Sequence, residues 1–316
     1  MGLRVVVAGQ GTMGGAVLRA LHGSRHQVVG VVANGRRTRG LWRPLMRLDG
    51  LLGAGSPLLV EARRARLPLL WLDRVGEGEV AWLEGLEPDL LLLANFGIIL
   101  PGRLLGVPRL GTVNTHWSLL PAYRGPAPHT MVILGGESQT GLTFHVVEER
   151  IDAGDILDQV AYPVAPDDTA MRLYAKAVRL AEARVLHVLD RVEADGLVGE
   201  PQDLAQGSYH RRLRPEDVRI DWGRTAVEID RLVRACTRPM AWFVHRGRPV
   251  WVTRASADPR PVDAPPARVL SARPQVRVAT GGGVITIEAA FVRAPLPWVW
   301  PAPWSRPGEA LDGGVR

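Results

Sequence analysis

Short apolar runs that end in glycine or polar residues recur through the first half of the chain, and stretches with helical spacing separate them. We predict strands at residues 5–8, 28–33, 69–72, 90–94, 111–116 and 142–147. Helices are predicted at residues 12–22, 58–66 and 169–192. Nearly continuous apolar strands are typical of a sheet that helices cover on both faces. The alternation therefore predicts an α/β fold with a doubly wound, Rossmann-like parallel sheet.

The pattern changes after a polar, glycine-containing stretch at residues 196–208. Beyond it we predict one helix at residues 225–236 and short strands at residues 241–245, 250–253, 276–279 and 284–289. Short strands between glycine and proline turns are typical of a small β-barrel, here an OB-like one. We therefore expect a first domain at residues 1–195, a linker at residues 196–208 and a β-barrel domain at residues 209–316.

The single cysteine, Cys236, excludes a disulfide framework or a thiolate metal cluster within one chain. No stretch approaches 18 consecutive apolar residues, so we expect no membrane span. The first residues also lack the charged start and apolar core of a signal peptide. These features together predict a cytoplasmic protein. No obligate protein partner is evident from the sequence.

Positive charge is concentrated towards the end of the chain. Residues 207–316 contain 18 arginines and 10 acidic residues, whereas the first 206 residues carry a net charge of −1. A basic domain of this kind can bind a polyanion such as tRNA. A solvated, arginine-rich surface explains the charge equally well, because Lys176 is the single lysine and arginine replaces lysine throughout.

Gly9, Gly11 and Gly14 fit the G-x-G-x-x-G pattern between the first strand and the first helix. In a dinucleotide site such glycines let the backbone approach a pyrophosphate. The second strand is followed by Arg36 and Arg37 instead of a ribose-binding acid, so an NADP-dependent dehydrogenase is one alternative. The other is a tight strand-to-helix turn without a ligand.

Asn114 and His116 end the predicted strand at residues 111–116. Side chains alternate along a strand, so both point to one face at the carboxyl end, where open α/β sheets bind ligands. Asp152 lies in a turn-rich segment further on. Together these residues suit acyl transfer to an amine, with Asn114 and His116 as donors to the oxyanion and His116 as proton carrier.

Asp152 has three possible roles in this scheme: it orients His116, favours its charged form, or holds a proton-relaying water. Taken singly, His116 is also consistent with a core histidine and Asp152 with a turn former. We interpret His129, His145 and Tyr123 as pocket wall or packing.

Three segments in combination resemble the signature of folate-dependent formyltransferases. They are Asn114-x-His116, Ser118-Leu119-Leu120-Pro121-x-Tyr123-Arg124-Gly125 and Asp152-x-Gly154-Asp155. The resemblance implies that Asn114, His116 and Asp152 are the catalytic trio, that residues 1–195 form the catalytic domain, and that 10-formyltetrahydrofolate is the donor, with no metal. It further implies a donor-binding role for Phe96, Gly97, Ile98, Leu100, Ser118, Leu119, Leu120, Pro121, Ile151, Gly154 and Asp155.

The C-terminal segments at residues 219–222 and 278–284 look like the barrel domain of methionyl-tRNA formyltransferases. This implies methionyl-tRNA, the charged initiator tRNA, or a close analogue as acceptor. A nucleotide-linked amino sugar or an ornithine-like amine is the alternative. Trp117 stands where the family usually has a small residue or proline. We expect acceptor contacts from Trp117, for which simple packing is an equal alternative, and from a basic loop that contains Arg36, Arg37, Arg39 and Arg43.

Overall fold

The computed structural model describes residues 2–35, 56–292 and 306–311. The chain forms two compact units. The first is built from Met1–Pro128, Gln139–Pro163 and Tyr174–His210, and the second from His129–Ser138, Val164–Leu173 and Arg211–Arg316. The predicted linker at residues 196–208 lies within the first unit.

Seven strands form the sheet of the first unit, in the order β3-β2-β1-β4-β5-β6-β7. They are β1 (Arg4–Gly9), β2 (Gln27–Asn34), β3 (Leu69–Leu72), β4 (Leu90–Ala94), β5 (Gly111–His116), β6 (Gln139–Val146) and β7 (Ile156–Pro163). All five residues of the central strand β4 are buried, as expected for a strand covered on both faces. The predicted α/β class is confirmed, and β1 to β5 pair in parallel as expected.

The last two strands depart from the predicted all-parallel sheet. β6 pairs antiparallel with β5, and β7 pairs antiparallel with β6. The sequence pattern did not indicate β7. This edge strand carries Asp158 and Gln159, and of its residues Leu157 and Tyr162 are buried. A strand at a sheet edge needs no continuous apolar run, so its hydrophobic signal is weak.

Among the described residues, the helices up to residue 195 are, in chain order, α1 (Gly11–Leu21), α2 (Pro57–Arg64), α3 (Glu77–Glu84), α4 (Gly102–Leu105), α5 (Pro128–Gly135) and α6 (Ala170–Asp195). The start of α2 follows from its sequence, because proline at the first helical position has the φ angle that a helix needs. Among the described residues, no helix is both long and apolar enough to cross a membrane.

In its described residues, the second unit contains α7 (Ala226–Ala235) and five antiparallel strands in the order β10-β11-β12-β9-β8. The strands are β8 (Trp242–His245), β9 (Arg248–Asp258), β10 (Val269–Ser271), β11 (Val276–Ala279) and β12 (Val284–Val292). They form half a barrel around a core in which the rings of Trp222 and Phe243 meet edge to face, 5.2 Å apart. The predicted C-terminal β domain is confirmed, although no pairing within the described range joins β8 to β10.

The helix α7 begins with a capping box. The hydroxyl of Thr225 accepts a hydrogen bond from the Glu228 N–H at 3.2 Å, and the Glu228 carboxylate accepts one from the Thr225 N–H at 2.9 Å. The pattern Thr-x-x-Glu before an apolar helix is sufficient to predict this start from sequence.

Candidate active site at the end of strand β5

Two polar side chains leave the sheet near the carboxyl end of β5. His116 is 5% exposed and Asn114 is partly buried. A polar pair at this depth needs hydrogen-bond partners, because an unpaired buried polar group is costly. Both side chains have such partners, as the contacts below describe.

Asp152 reaches the same place from the loop between β6 and β7. Its carboxylate Oδ2 accepts a hydrogen bond from the Gly125 N–H at 2.9 Å and lies 3.6 Å from Nδ1 of His116. Its Oδ1 lies 3.5 Å from Nδ2 of Asn114. The backbone of Asp152 is left-handed, with φ of 51°. The structure therefore brings together the three residues that the sequence singled out.

The neighbouring Gly154 explains the sharpness of this loop. A Cβ atom at Gly154 would lie 2.2 Å from the carbonyl oxygen of Val146, so no other residue fits without movement. The loop thus folds tightly against the end of β6 at Gly154.

His116 is held by a backbone carbonyl. Its Nε2 donates to the carbonyl oxygen of Tyr123 at 3.0 Å, which leaves Nδ1 facing Asp152. A carbonyl can only accept, so Nε2 carries the hydrogen. Burial lowers the pKa of His116 below its usual value of 6.5, although the charge of Asp152 opposes this shift. Asp152 therefore favours the charged form of His116, as one of our three alternatives states, but burial outweighs it and the resting imidazole is neutral.

Asp152 is ionised over the whole physiological range. Burial alone would raise the pKa of this carboxyl group, but three other effects lower it to about 2: the contact with His145, the positive charges of His145 and His116 once acid protonates these rings, and the Gly125 N–H. A fixed negative charge thus lies beside the neutral His116.

His145 belongs to this cluster, although we interpreted it from the sequence as packing. It lies opposite Asn114 in the antiparallel pairing of β5 with β6. Its Nε2 accepts a hydrogen bond from Nδ2 of Asn114 at 3.1 Å, and its Nδ1 donates to the carbonyl oxygen of Val146 at 2.8 Å. The contact depends on the antiparallel register of β6, and the alternating pattern of a strand does not indicate its direction, so the sequence carried no signal for His145.

His116, His145 and Asp152 present ligand atoms within 4.8 Å of one another. A divalent cation would need the free lone pair of each imidazole. That of His145 is already used by the amide of Asn114, so the set is incomplete as a metal site. The chemistry proposed below therefore uses protein groups alone.

Some of the residues expected to bind the donor belong to the core, and others are exposed. Ile98 and Leu100 lie in an apolar core cluster, Phe96 packs against it, and Gly97 is exposed. Ile151 is 39% exposed, and Ile99, which the prediction did not name individually, is 78% exposed. The exposed apolar side chains of both segments are the ones available to a flat aromatic ligand.

The turn after β5 is held by polar contacts of its own. The hydroxyl of Ser118 donates to the carbonyl of Ala122 at 2.7 Å, and the Leu120 N–H donates to the hydroxyl of Thr143 at 3.3 Å. Leu119 packs against Gly141 so closely that a Cβ there would lie 2.3 Å from it. Ser118, Leu119, Leu120 and the following Pro121 thus shape the turn. The remaining predicted donor residue, Asp155, uses its carbonyl to accept the Val146 N–H at 2.9 Å.

Of the residues expected to contact the acceptor, Arg36, Arg37, Arg39 and Arg43 lie outside the described residues. Trp117 is partly buried and meets the ring of Tyr174 edge to face, with 4.9 Å between the ring centroids. The contact with Tyr174 covers part of the Trp117 side chain.

The glycine loop before α1 is filled by the protein itself. The Gly11 N–H donates to the hydroxyl of Ser56 at 3.0 Å, and the Met13 N–H donates to the hydroxyl of Tyr174 at 3.2 Å. The same Tyr174 hydroxyl accepts a hydrogen bond from the side-chain amide of Asn95 at 3.2 Å. A pyrophosphate bound at this loop would need the N–H groups of Gly11 and Met13. These contacts favour the tight turn of our second interpretation.

Two family models match the chain. The model described as "Formyl transferase" matches residues 3–189, and the model described as "Formyl transferase, C-terminal domain" matches residues 212–291. The chain therefore belongs to the formyl transferase family, and it is a folate-dependent formyltransferase, as the sequence motifs predicted. The alternative of an NADP-dependent dehydrogenase is wrong.

Within this family, the chain is 36% identical over 324 residues to a methionyl-tRNA formyltransferase from Roseiflexus castenholzii. The match covers 100% of this chain and 99% of that protein. The similarity thus extends through both units.

Two solved structures have the same fold at low identity. An N-formyltransferase from Helicobacter canadensis, in complex with folinic acid and dTDP-3-aminofucose, gives a TM-score of 0.67 at 18% identity over 90% of this chain and 98% of that chain. HypX from Aquifex aeolicus, in complex with tetrahydrofolic acid, gives a TM-score of 0.65 at 19% identity. That match covers 93% of this chain but 45% of HypX.

Proposed function

We propose that the protein transfers the formyl group of 10-formyltetrahydrofolate to the amino group of methionyl-tRNA in the cytoplasm. The observation that carries this proposal is the cluster of Asn114, His116 and Asp152 at the end of β5, in a chain that is similar over its full length to a methionyl-tRNA formyltransferase. The folate ligands of the Helicobacter and Aquifex structures support the choice of donor.

The reaction begins when the neutral amine attacks the formyl carbon. A carbon–nitrogen bond forms, and the carbonyl oxygen takes up the electron pair as an oxyanion. The side-chain amide of Asn114 has two hydrogens, of which one binds His145 and the other has only a long, 3.5 Å contact with Asp152. That second hydrogen can exchange its long contact with Asp152 for a hydrogen bond to the oxyanion, and such a donor is worth about 2.7–4 kcal/mol in the transition state.

The attacking amine must lose a proton as the bond forms. His116 is neutral at rest and carries its hydrogen on Nε2, so Nδ1 can take this proton. The imidazolium that results lies 3.6 Å from the ionised Asp152, which stabilises it. When the oxyanion collapses, the bond from the formyl carbon to N10 of the folate breaks, and His116 returns the proton to N10.

The donor occupies the space between two loops in this proposal. The pterin packs between residues 96–100 and residues 151–155, where Ile99 and Ile151 expose apolar side chains. Phe96, Ile98 and Leu100 support the first loop from the core. The turn of Ser118, Leu119, Leu120 and Pro121, together with Gly154 and Asp155, shapes the remaining wall.

Two features favour a tRNA acceptor over a small amine. Residues 207–316 carry 18 arginines against 10 acidic residues, and the chain is similar to a methionyl-tRNA formyltransferase along its whole length. We assign acceptor contacts to Arg36, Arg37, Arg39, Arg43 and Trp117. A nucleotide-linked amino sugar is the second candidate, since the Helicobacter enzyme of the same fold was solved with dTDP-3-aminofucose.

The test is a transfer assay with 10-formyltetrahydrofolate and three acceptors: charged initiator tRNA, a dTDP-linked amino sugar and ornithine. We expect efficient transfer to the tRNA only. His116→Ala and Asp152→Ala should each lower kcat by at least about 100-fold while the far-UV circular dichroism stays unchanged. Transfer to a small amine alone would refute the acceptor assignment, and near-normal turnover in either variant would refute the catalytic assignment.

A further inference from the structure

The segment at residues 199–208, part of the linker that we predicted at residues 196–208, holds two loops of the candidate site. At one end, Ile156 and Glu200 exchange backbone hydrogen bonds of 2.8 and 2.9 Å. At the other end, the Arg124 N–H donates to the carbonyl of Ser208 at 2.9 Å, and the Tyr123 N–H donates to the Ser208 hydroxyl at 2.8 Å. The same short segment therefore contacts both the turn after β5 and the loop that carries Asp152.

Gln202 is the side chain of this segment that reaches the catalytic loop. Its amide nitrogen donates to the carbonyl oxygen of Asp152 at 3.2 Å and to that of Gly154 at 2.6 Å. A primary amide has two hydrogens, and this geometry uses both. The two carbonyls that it bridges flank the left-handed turn in which Asp152 has φ of 51°.

The orientation of the Gln202 amide is determined by these contacts. Its Oε1 is buried and has no hydrogen-bond partner in the described part of the chain, so the amide nitrogen makes all of its hydrogen bonds. The reversed orientation would place Oε1 against two carbonyl oxygens, and both sets of lone pairs would repel. The bonds to residues 152 and 154 thus hold the loop in one conformation.

We propose that Gln202 is a positioning residue for formyl transfer: it holds the Asp152 loop so that the carboxylate stays bound to the Gly125 N–H and beside His116. The inference rests on the proposed function of Asp152. Gln202 acts through the backbone and touches neither substrate in this proposal. A displacement of about 1 Å of a catalytic group can lower a rate by about 100-fold, so a backbone contact of this kind can determine turnover.

The first test compares variants of two glutamines in the same segment. Gln202→Leu removes both hydrogen bonds to the loop, and Gln202→Glu keeps the shape but replaces the amide donors with a carboxylate. Gln206 is the matched control, because its amide nitrogen donates to the Asp203 carboxylate at 2.8 Å in an exposed contact. We expect kcat to fall by about 10- to 100-fold in both Gln202 variants, with a smaller change in acceptor KM, and to stay normal in Gln206→Leu. Normal kcat in Gln202→Leu would overturn the proposal.

A double-mutant cycle separates positioning from general destabilisation. If Gln202 acts through Asp152, Gln202→Leu should have little further effect on kcat in an Asp152→Ala background. If Gln202→Leu lowered kcat by the same factor in the wild type and in Asp152→Ala, Gln202 would act elsewhere, which also overturns the proposal. A normal rate in Asp152→Ala alone would instead refute the role of Asp152 in the proposed function.

A measurement without turnover completes the test. NMR titration of the His116 ring reports its distance from the Asp152 charge, because that charge raises the pKa of His116. We expect a lower pKa of His116 in Gln202→Leu than in the wild type, and no change in Gln206→Leu. An unchanged His116 titration in folded Gln202→Leu would contradict the inference even if no acceptor had been identified.

Discussion

The imidazole of His145 accepts a hydrogen bond from the side-chain amide of Asn114, with 3.1 Å between Nε2 and Nδ2. The other ring nitrogen of His145 donates to the carbonyl of Val146 at 2.8 Å, so its acceptor nitrogen points at Asn114. The amide of Asn114 is thereby oriented, and its second hydrogen makes only the long, 3.5 Å contact with Asp152. A pre-oriented donor does not have to reorganise during the reaction.

From this contact we predict that His145→Ala lowers kcat by about tenfold or more, because the Asn114 amide can then rotate. The effect on acceptor KM should be smaller, since the contact matters most when the oxyanion forms. The matched control is His187→Ala, which removes an exposed histidine of α6. Steady-state kinetics of both purified variants would check this, and equal kcat values for the two would contradict the role of His145.

The second prediction concerns stability at acidic pH. The pKa of Asp152 is about 2 in the folded protein, below its usual 3.8, so the folded state prefers the ionised form. The resulting stabilisation is complete above about pH 5 and is lost as the pH falls through 3.8 towards 2, since protonation then favours the unfolded chain. The loss should amount to about 2 kcal/mol between pH 5 and pH 2.

Urea unfolding of the wild type and Asp152→Asn at several pH values would measure this loss. The difference in unfolding free energy between the two proteins should shrink by about 2 kcal/mol from pH 5 to pH 2. A constant difference across this range would show that the folded protein does not depress the pKa of Asp152.

The third prediction is that NADPH does not bind at the glycine loop. Ser56 and Tyr174 occupy the N–H groups of Gly11 and Met13, so a pyrophosphate would have to displace both hydroxyls. Titration calorimetry of the wild type with NADPH should show no saturable heat. Tight binding that Arg36→Ala abolishes would contradict this prediction.

The fourth prediction tests the size and charge of the acceptor. Each phosphate that binds an arginine releases counterions, so a polyanionic acceptor binds more weakly as salt increases. If six or more phosphate contacts form, raising the salt from about 50 to about 200 mM should raise the tRNA KM by about 10³-fold or more. The KM for 10-formyltetrahydrofolate in the same assays is the internal control. A tRNA KM that changes less than threefold would argue against a polyanionic acceptor.

The local sequence pattern was sufficient to predict several elements of the fold and the placement of two site residues. The apolar run of β4 predicts a strand buried on both faces, and the two-residue alternation along β5 predicts that Asn114 and His116 lie together. The capping box at Thr225 predicts the start of α7. These features depend on residues within one element, where covalent geometry sets the direction of each side chain.

The tertiary structure alone determined which groups surround Asn114 and His116. His145 lies beside Asn114 because β6 runs antiparallel to β5, and the periodicity of a strand is the same in either direction. Gln202 contacts the Asp152 loop across 50 residues, and Tyr174 fills the glycine loop from across 161 residues. Which distant groups meet depends on packing and strand direction over the whole domain. The amino-acid sequence therefore identified the reacting residues, whereas the fold determined the groups that orient them.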